Sequence, residues 1–250
     1  MEFRLLGPVE IVRDGTVVTL ASERQRALLA MLLLEANRFV STRRLVDLLW
    51  DDPPRSALGN LRTYAAGIRT LLGDRIGDAG RLSVRRGVGY RIEVTPDELD
   101  MTRFHRLVTE AKEAHGRNDT RVAADLLEAA LRCWRGLSGS DMGLLSRAGA
   151  DRLSTLNEQR LTATESLAEA RLNLGEPDAA IEILAEVLCE HPTRDNTWMI
   201  LMRARYAAGD VRGALETYRR AHAIYQNTLG ISAPPILSDM HRAILQRDGH

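Results

Sequence analysis

Two cysteines in 250 residues leave this chain without the spacing of a metal site or a disulfide framework. Cys133 and Cys189 both fall in apolar helical runs and read as buried structural thiols. No apolar run approaches the ~20 residues of a membrane span, and no N-terminal segment suits a signal peptide. The expectation is a cytoplasmic protein with no membrane partner. Lysine is nearly missing too: Lys112 stands alone among 34 basic residues, the others being arginine. Arginine codons tolerate GC-rich DNA and lysine codons do not, so composition points to a high-GC bacterium, an actinobacterium being the natural candidate.

Chemistry is equally scarce. His105, His115, His191, His222, His241 and His250 do not pair at metal-ligand spacing with acids or thiols. The adjacent carboxylates Asp51-Asp52 and Asp97-Glu98 read as a turn and a helix start. Ser138-Gly139-Ser140 lacks the strand-to-helix elbow of a nucleophile, and no glycine-rich phosphate loop occurs. No catalytic residue, cofactor or metal is expected, and the chain does not read as an enzyme.

What is present is an uneven spread of charge. Residues 1–95 hold 15 basic against 11 acidic side chains, whereas 96–250 hold 19 against 23. Within 38–91 the balance is 11 against 5, a modest electrostatic footprint for nucleic acid.

The basic stretch centres on residues 53–73. Leu58, Leu61, Ala65, Ile68 and Leu72 recur at steps of three and four, one stripe of a helix. Pro53-Pro54 fixes an extended approach, Ser56 can cap the first free N–H groups, and Gly73 can end the helix. The opposite face carries Gly59, Thr63, Ala66, Gly67 and Thr70, with Arg62 and Arg69 on one shoulder and Asn60 and Tyr64 on the other. Small residues on a leading face let a helix approach base edges in a major groove about 12 Å wide. Flanking arginines would meet phosphates.

Its neighbours support that reading. Phe3 and Leu5, then Val9 and Ile11, then Val17 to Leu20 form short β-rich runs, with Asp14-Gly15 as a hairpin signal. Ser22 to Gln25 fits a capping box before the apolar helix Ala27–Leu34, and Asn37 is a plausible stop. Ser41 can cap a second helix whose Leu45, Val46, Leu48, Leu49 and Trp50 are mostly core. Beyond the third helix, Arg75-Ile76 and Leu82–Val84 alternate around Gly77–Gly80, and Tyr90–Val94 closes a hairpin with Arg81, Arg85 and Arg86 near its tip. Sheet, three helices and a basic hairpin describe an α+β winged helix-turn-helix over residues 1–95. The candidate DNA contacts are Arg55, Ser56, Asn60, Arg62, Thr63, Tyr64, Gly67, Arg69, Thr70, Arg81, Arg85 and Arg86.

From 96 to 250 the signal is helical. Phe104, Leu107, Val108 and Ala111 form one amphipathic run; Val122, Ala123, Leu126, Leu127, Ala130 and Leu131 form another. A loop rich in glycine and serine separates Trp134 from Leu144, and a long helix runs from about Ala150 to Leu174. The segments beginning Gly175-Glu176-Pro177-Asp178 and Gly209-Asp210-Val211-Arg212 lie 34 residues apart, the tetratricopeptide period. A fainter copy starts at Gly116-Arg117-Asn118-Asp119. An all-α tetratricopeptide-like bundle follows, whose concave side is an interaction surface.

Leu45–Trp50, Leu61-Arg62-Thr63-Tyr64 through Leu72, and Val88-Gly89-Tyr90-Arg91 resemble the winged-helix output domain of OmpR/PhoB-type response regulators. In that fold the Gly-Tyr pair packs the hairpin on the sheet, so Tyr90 reads as structural. The chain opens directly on the sheet, so control through a receiver aspartate within it is not expected. In the second half, Trp134-Arg135-Gly136, Leu156–Arg160, Glu190-His191-Pro192-Thr193-Arg194, Ala214–Arg220 and Leu229-Gly230-Ile231 resemble the bacterial transcriptional activation domain. Together the halves resemble the Streptomyces antibiotic regulatory protein family, in a short stand-alone form. Ser232-Ala233-Pro234-Pro235-Ile236 departs from the Asp-Pro-Gly-Pro-Glu-Leu type of turn usual there.

The resemblance implies a transcriptional activator of an antibiotic or secondary-metabolite cluster. It would bind direct repeats in double-stranded promoter DNA as a homodimer and recruit RNA polymerase holoenzyme. A repressor with the same DNA-binding domain, and a helical scaffold with only nonspecific DNA affinity, are the alternatives. Each half is expected to close its own core and fold alone.

Overall fold

Asp14 and Gly15, at φ 50° and 80°, make the two-residue turn that the right-handed twist of a hairpin favours. The strands β1 (Glu2–Arg4), β2 (Glu10–Arg13) and β3 (Thr16–Val18) pair antiparallel in that order, with Phe3 opposite Ile11 and Arg13 opposite Thr16. The computed structural model describes residues 1–20, 22–74, 80–143 and 145–247. The Arg75-Ile76 strand, the glycine turn through Ala79, the Leu144 end of the loop and His250 lie outside them.

The residues fall into two compact units: Met1–Arg106 with Arg132–Gln159, and Leu107–Leu131 with Arg160–His250. The first unit thus runs past residue 95 and takes in the later segment Arg132–Gln159.

In the first unit, α1 (Glu23–Leu34) is buried without a break from Ala27 to Leu33, so it forms the centre. Ser22 precedes α1 but makes no side-chain cap, contrary to the capping-box signal. Ser41 does cap α2 (Thr42–Leu49), accepting from the Arg44 N–H at 3.2 Å. Helix α3 (Ala57–Leu72) follows, then the wing strands β4 (Leu82–Arg85) and β5 (Gly89–Ile92), paired antiparallel with Val84 opposite Tyr90. Val40 and Tyr90 exchange backbone hydrogen bonds at 2.8 and 2.9 Å, adding a bridge beside the wing. Asn37, at φ 67°, ends the α1 segment and clamps Val94 with both atoms of its amide at 3.0 Å.

A short 3-10 turn, Pro96–Glu98, leads into α4 (Asp100–Gly116). The Asp100 carboxylate is buried and accepts from the Leu5 and Leu6 N–H groups at 2.8 and 3.0 Å. Burial pushes its pKa up, while those N–H groups and that of Met101 oppose the rise. The 132–159 segment returns to the same place. Arg135 donates its N–H to the Leu6 carbonyl at 2.8 Å, and Ser138 donates its hydroxyl to the Leu5 carbonyl. Ser146 donates to the Leu48 carbonyl at 2.7 Å, and Trp134 meets Phe104 edge-on with centroids 5.4 Å apart.

The second unit holds α5 (Thr120–Leu131), the second half of α6 (Arg147–Asn173), α7 (Pro177–Glu190), α8 (Asp195–Ala207), α9 (Val211–Leu229) and α10 (Pro235–Arg247). The sequence repeat is visible in the backbone. Asn118, Gly175 and Gly209 take φ 61°, 76° and 80°, and the next N–H bonds the carbonyl five residues back each time. This is the Schellman end, which satisfies otherwise orphaned helix carbonyls. Five residues after each turn residue comes a buried alanine: Ala123, Ala180 and Ala214. Glu165, buried, accepts from Arg194 at 2.8 Å and Asn196 at 3.1 Å, and also from Thr197. Burial alone would raise its pKa, but these donors hold it below the usual carboxylate value. The cysteines differ from expectation: Cys133 is half-buried in the turn after α5, and Cys189 is exposed one residue before the end of α7.

Candidate nucleic-acid interface

Helix α3 buries Ala57, Leu61, Ala65, Ile68 and Leu72 against its own unit. Leu58 does not belong to that stripe: it is 53% exposed, and Ala57, one residue earlier, takes its place in the core. The exposed face carries Leu58, Gly59, Arg62, Thr63, Ala66 and Thr70. Gly73, at φ 72°, closes the helix as its sequence position predicts.

The shoulders are more occupied than periodicity suggests. Arg69 is half-buried and donates Nε to the Leu82 carbonyl at 2.9 Å, tying α3 to the first wing strand. Tyr64 is half-buried and stacks on Trp50, centroids 6.4 Å apart, while the Arg24 guanidinium lies 5.3 Å from the Trp50 ring. Ser56 makes no cap; its hydroxyl instead accepts from the Asn60 amide at 3.2 Å. Gly67 is not on the open face. A Cβ there would sit 2.2 Å from Nε2 of Gln25, the far end of a flexible side chain on α1 that covers this position. Arg62 is exposed, with no hydrogen-bond partner among the described residues. It and Arg69 lie near enough to oppose the upward shift that burial gives the Tyr90 phenol.

On the wing, Arg85 and Arg86 are exposed at the turn, as expected. Arg81 is not at the tip. Its guanidinium grips Glu98 through two bonds, at 2.8 and 2.7 Å, and its N–H reaches Asp74 at 3.0 Å. The Arg81 hydrogen bond, opposed by burial, holds Glu98 at about 2. Arg81 therefore anchors the base of the wing. Phe39 lies under both Arg85 and Arg91, whose guanidinium carbons are 5.7 and 4.7 Å from the ring centre. An aromatic between basic runs was the available signal. Tyr90 is buried, as its Gly-Tyr context predicts.

The exposed candidates that remain together are thus Arg55, Arg62, Thr63 and Thr70 on or before α3, with Arg85 and Arg86 at the wing turn. A helix with a small, open face beside a basic hairpin suits a duplex, the helix meeting base edges and the arginines meeting phosphates. Among the described residues no group of histidine, cysteine or carboxylate side chains could hold a metal ion. No described helix is long and apolar enough to cross a membrane.

Comparison with known proteins agrees with both halves. Residues 99–245 match the family described as bacterial transcriptional activator domain, and residues 15–92 match transcriptional regulatory protein, C terminal. The chain is 35% identical to the transcriptional regulator RedD of Streptomyces coelicolor, over 99% of this chain and 71% of that one. It is 31% identical to the regulatory protein DnrI of Streptomyces peucetius, over 99% of this chain and 93% of that one. With the transcriptional regulatory protein EmbR of Mycobacterium tuberculosis it shares 32% identity, over 99% of this chain but 64% of EmbR. The solved structure of EmbR in complex with a low-affinity phosphopeptide superposes with a TM-score of 0.88, at 32% identity, over 98% of this chain and 65% of that one.

Proposed function

Since the chain belongs to the Streptomyces antibiotic regulatory protein family of transcriptional regulators, we propose that it activates a secondary-metabolite gene cluster by binding direct repeats in its promoters. Two copies bind side by side, with α3 in the major groove and Arg85 and Arg86 on the neighbouring backbone. The DNA-binding part is residues 1–95, and the helical part from 96 onward contacts RNA polymerase holoenzyme. The protein works in the cytoplasm, on the nucleoid, without catalytic chemistry of its own.

The observation that carries this reading is the pairing of an open helix face with exposed arginines. Gly59 has nothing within 4 Å of where a Cβ would sit, Arg62 is exposed on the same helix, and Arg85 and Arg86 are exposed at the wing turn. The solenoid-like second unit supports the partner-binding half, since stacked helix pairs offer a continuous surface to another protein.

The test combines footprinting upstream of neighbouring genes with run-off transcription in the same reactions. Protection of paired repeats together with more transcript is the expected result. Protection with less transcript would make the protein a repressor. A specific site that fails to win over unrelated DNA by about a thousandfold would reduce it to a scaffold with nonspecific affinity.

A further inference from the structure

The polar side chains of α3 are mostly committed to the protein itself. Thr63 and Thr70 donate their hydroxyls back to the Gly59 and Ala66 carbonyls, each at 3.2 Å. Asn60 donates to Ser56, and Nε of Arg69 is held by Leu82. What the exposed face offers outward is the Thr63 and Thr70 methyl groups, Ala66, the open space at Gly59, and Leu58. Leu58 lies in the first turn and four residues before Arg62, on the same ridge. Every other leucine or isoleucine of this helix is buried or half-buried. Leaving a leucine 53% exposed has no benefit for the core, since Ala57 already fills that position.

From this inventory we infer that the helix reads its site chiefly by apolar contact with the 5-methyl groups of thymine, Leu58 being the principal reader. Thymine is the one standard base that presents a methyl group in the major groove, and an apolar side chain recognises it there. The first turn of a recognition helix is also the part that meets base edges. Arg62, one turn further on, meets the phosphate backbone beside it. The inference rests on the DNA-binding reading above and adds a base identity to it: the repeat carries a thymine under the first turn of α3.

The experiment uses the full chain and the operator located by footprinting. Each thymine of one repeat is replaced singly by uracil, which removes the methyl and leaves every hydrogen-bonding group in place. Binding is followed by fluorescence anisotropy against excess unrelated DNA. At one or two positions uracil is expected to weaken binding about fourfold, the equivalent of one buried methylene. In Leu58→Ala, whose side chain is exposed and whose fold is therefore retained, the thymine and uracil sites should bind alike. No uracil effect at any position, or an undiminished one in Leu58→Ala, would overturn the methyl reading while leaving specific DNA binding intact. Equal competition by unrelated DNA would instead overturn both, and so marks a failure of the function itself.

Discussion

Arg69 reaches from α3 to the Leu82 carbonyl, 2.9 Å away, so its guanidinium joins α3 to the wing. Arg62 lies on the same shoulder but is exposed. The two should behave as different classes of residue. Arg69→Ala is expected to cost about 1–2 kcal/mol of stability, the range for a charged hydrogen bond that is half-open to solvent. Arg62→Ala should change stability by less than about 0.5 kcal/mol, yet flatten the log–log salt dependence of DNA binding by about 0.9. Urea titration and anisotropy at several salt concentrations read the two effects. An unchanged urea midpoint for Arg69→Ala would show that its bond to Leu82 contributes nothing.

The Arg81–Glu98 pair gives a pH dependence of definite sign. Glu98 ionises at about 2 in the folded chain against an ordinary 4.5, so its contribution is complete above the ordinary value. It declines as the pH falls from there towards 2. Glu98→Gln should therefore be less stable than the parent at pH 7, by about 1 kcal/mol given the partly exposed arginine. The gap should close on acidification. Urea midpoints at pH 7, 4 and 2.5 test this, and a gap that stays constant would rule out the ion pair as its source. Asp100, whose pKa burial raises, contributes with the opposite slope, so the comparison must be made between variants rather than on the parent alone.

Two glycines of the winged helix separate cleanly. At Gly89, φ is 148° and a Cβ would lie 2.0 Å from the Val40 carbonyl oxygen, which is backbone and is bonded to Tyr90. Gly89→Ala should therefore destabilise by several kcal/mol, of the order seen where strain and lost bridge bonds combine. At Gly67 the obstruction is only the far end of Gln25. Gly67→Ala should be tolerated, with up to about 1 kcal/mol gained from helix propensity if Gln25 swings aside. Thermal melts of the two variants should move in clearly different ways. A mild Gly89→Ala would mean that the Val40–Tyr90 bridge is not needed.

A fragment ending at residue 95 would lack Asp100, Ser138 and Ser146, leaving the Leu5 and Leu6 N–H groups and the Leu5 and Leu48 carbonyls without these partners. Those groups are expensive to bury unpaired, at about 1–3 kcal/mol each. The fragment is expected to unfold at clearly lower urea than the first unit within the full chain, and to show poorly dispersed amide resonances. A fragment as stable as its parent unit would mean that water replaces these bonds without cost.

Much of this was legible in the sequence because it follows from local rules. The Asp14-Gly15 turn, the Ser41 cap, the Gly73 stop and the 34-residue repeat each depend on a few neighbouring residues. Periodicity placed Leu61, Ala65, Ile68 and Leu72 correctly but not Leu58, because a stripe at the first turn is ambiguous until the adjoining core is known. Gly67 reads as facing DNA because a helical wheel shows which way a side chain points and not what lies there, and Arg81 because the sequence does not show where the tip of a hairpin falls. Glu98 and Gln25 are distant in sequence, and only folding brings them close. The return of residues 132–159 to the first unit had no sequence signal for the same reason. It depends on scattered groups such as Arg135, Ser138 and Ser146 meeting carbonyls more than ninety residues away.

The three repeat turns at Asn118, Gly175 and Gly209 share one main-chain closure, to which Glu176 and Asp210 add side-chain bonds with Arg171 and Arg205. The closure common to all three asks only for a residue that accepts positive φ, which asparagine can do in place of glycine. The turn therefore acts as a ruler: it conserves length while leaving composition free to drift. Tyr218 can stand where its counterpart is Leu184, but one residue added inside the turn would rotate the next helix by about 100° and carry its buried alanine out of the core. Relatives of this chain should accordingly differ widely in the residues of these helices and scarcely at all in the number of residues between turn and alanine.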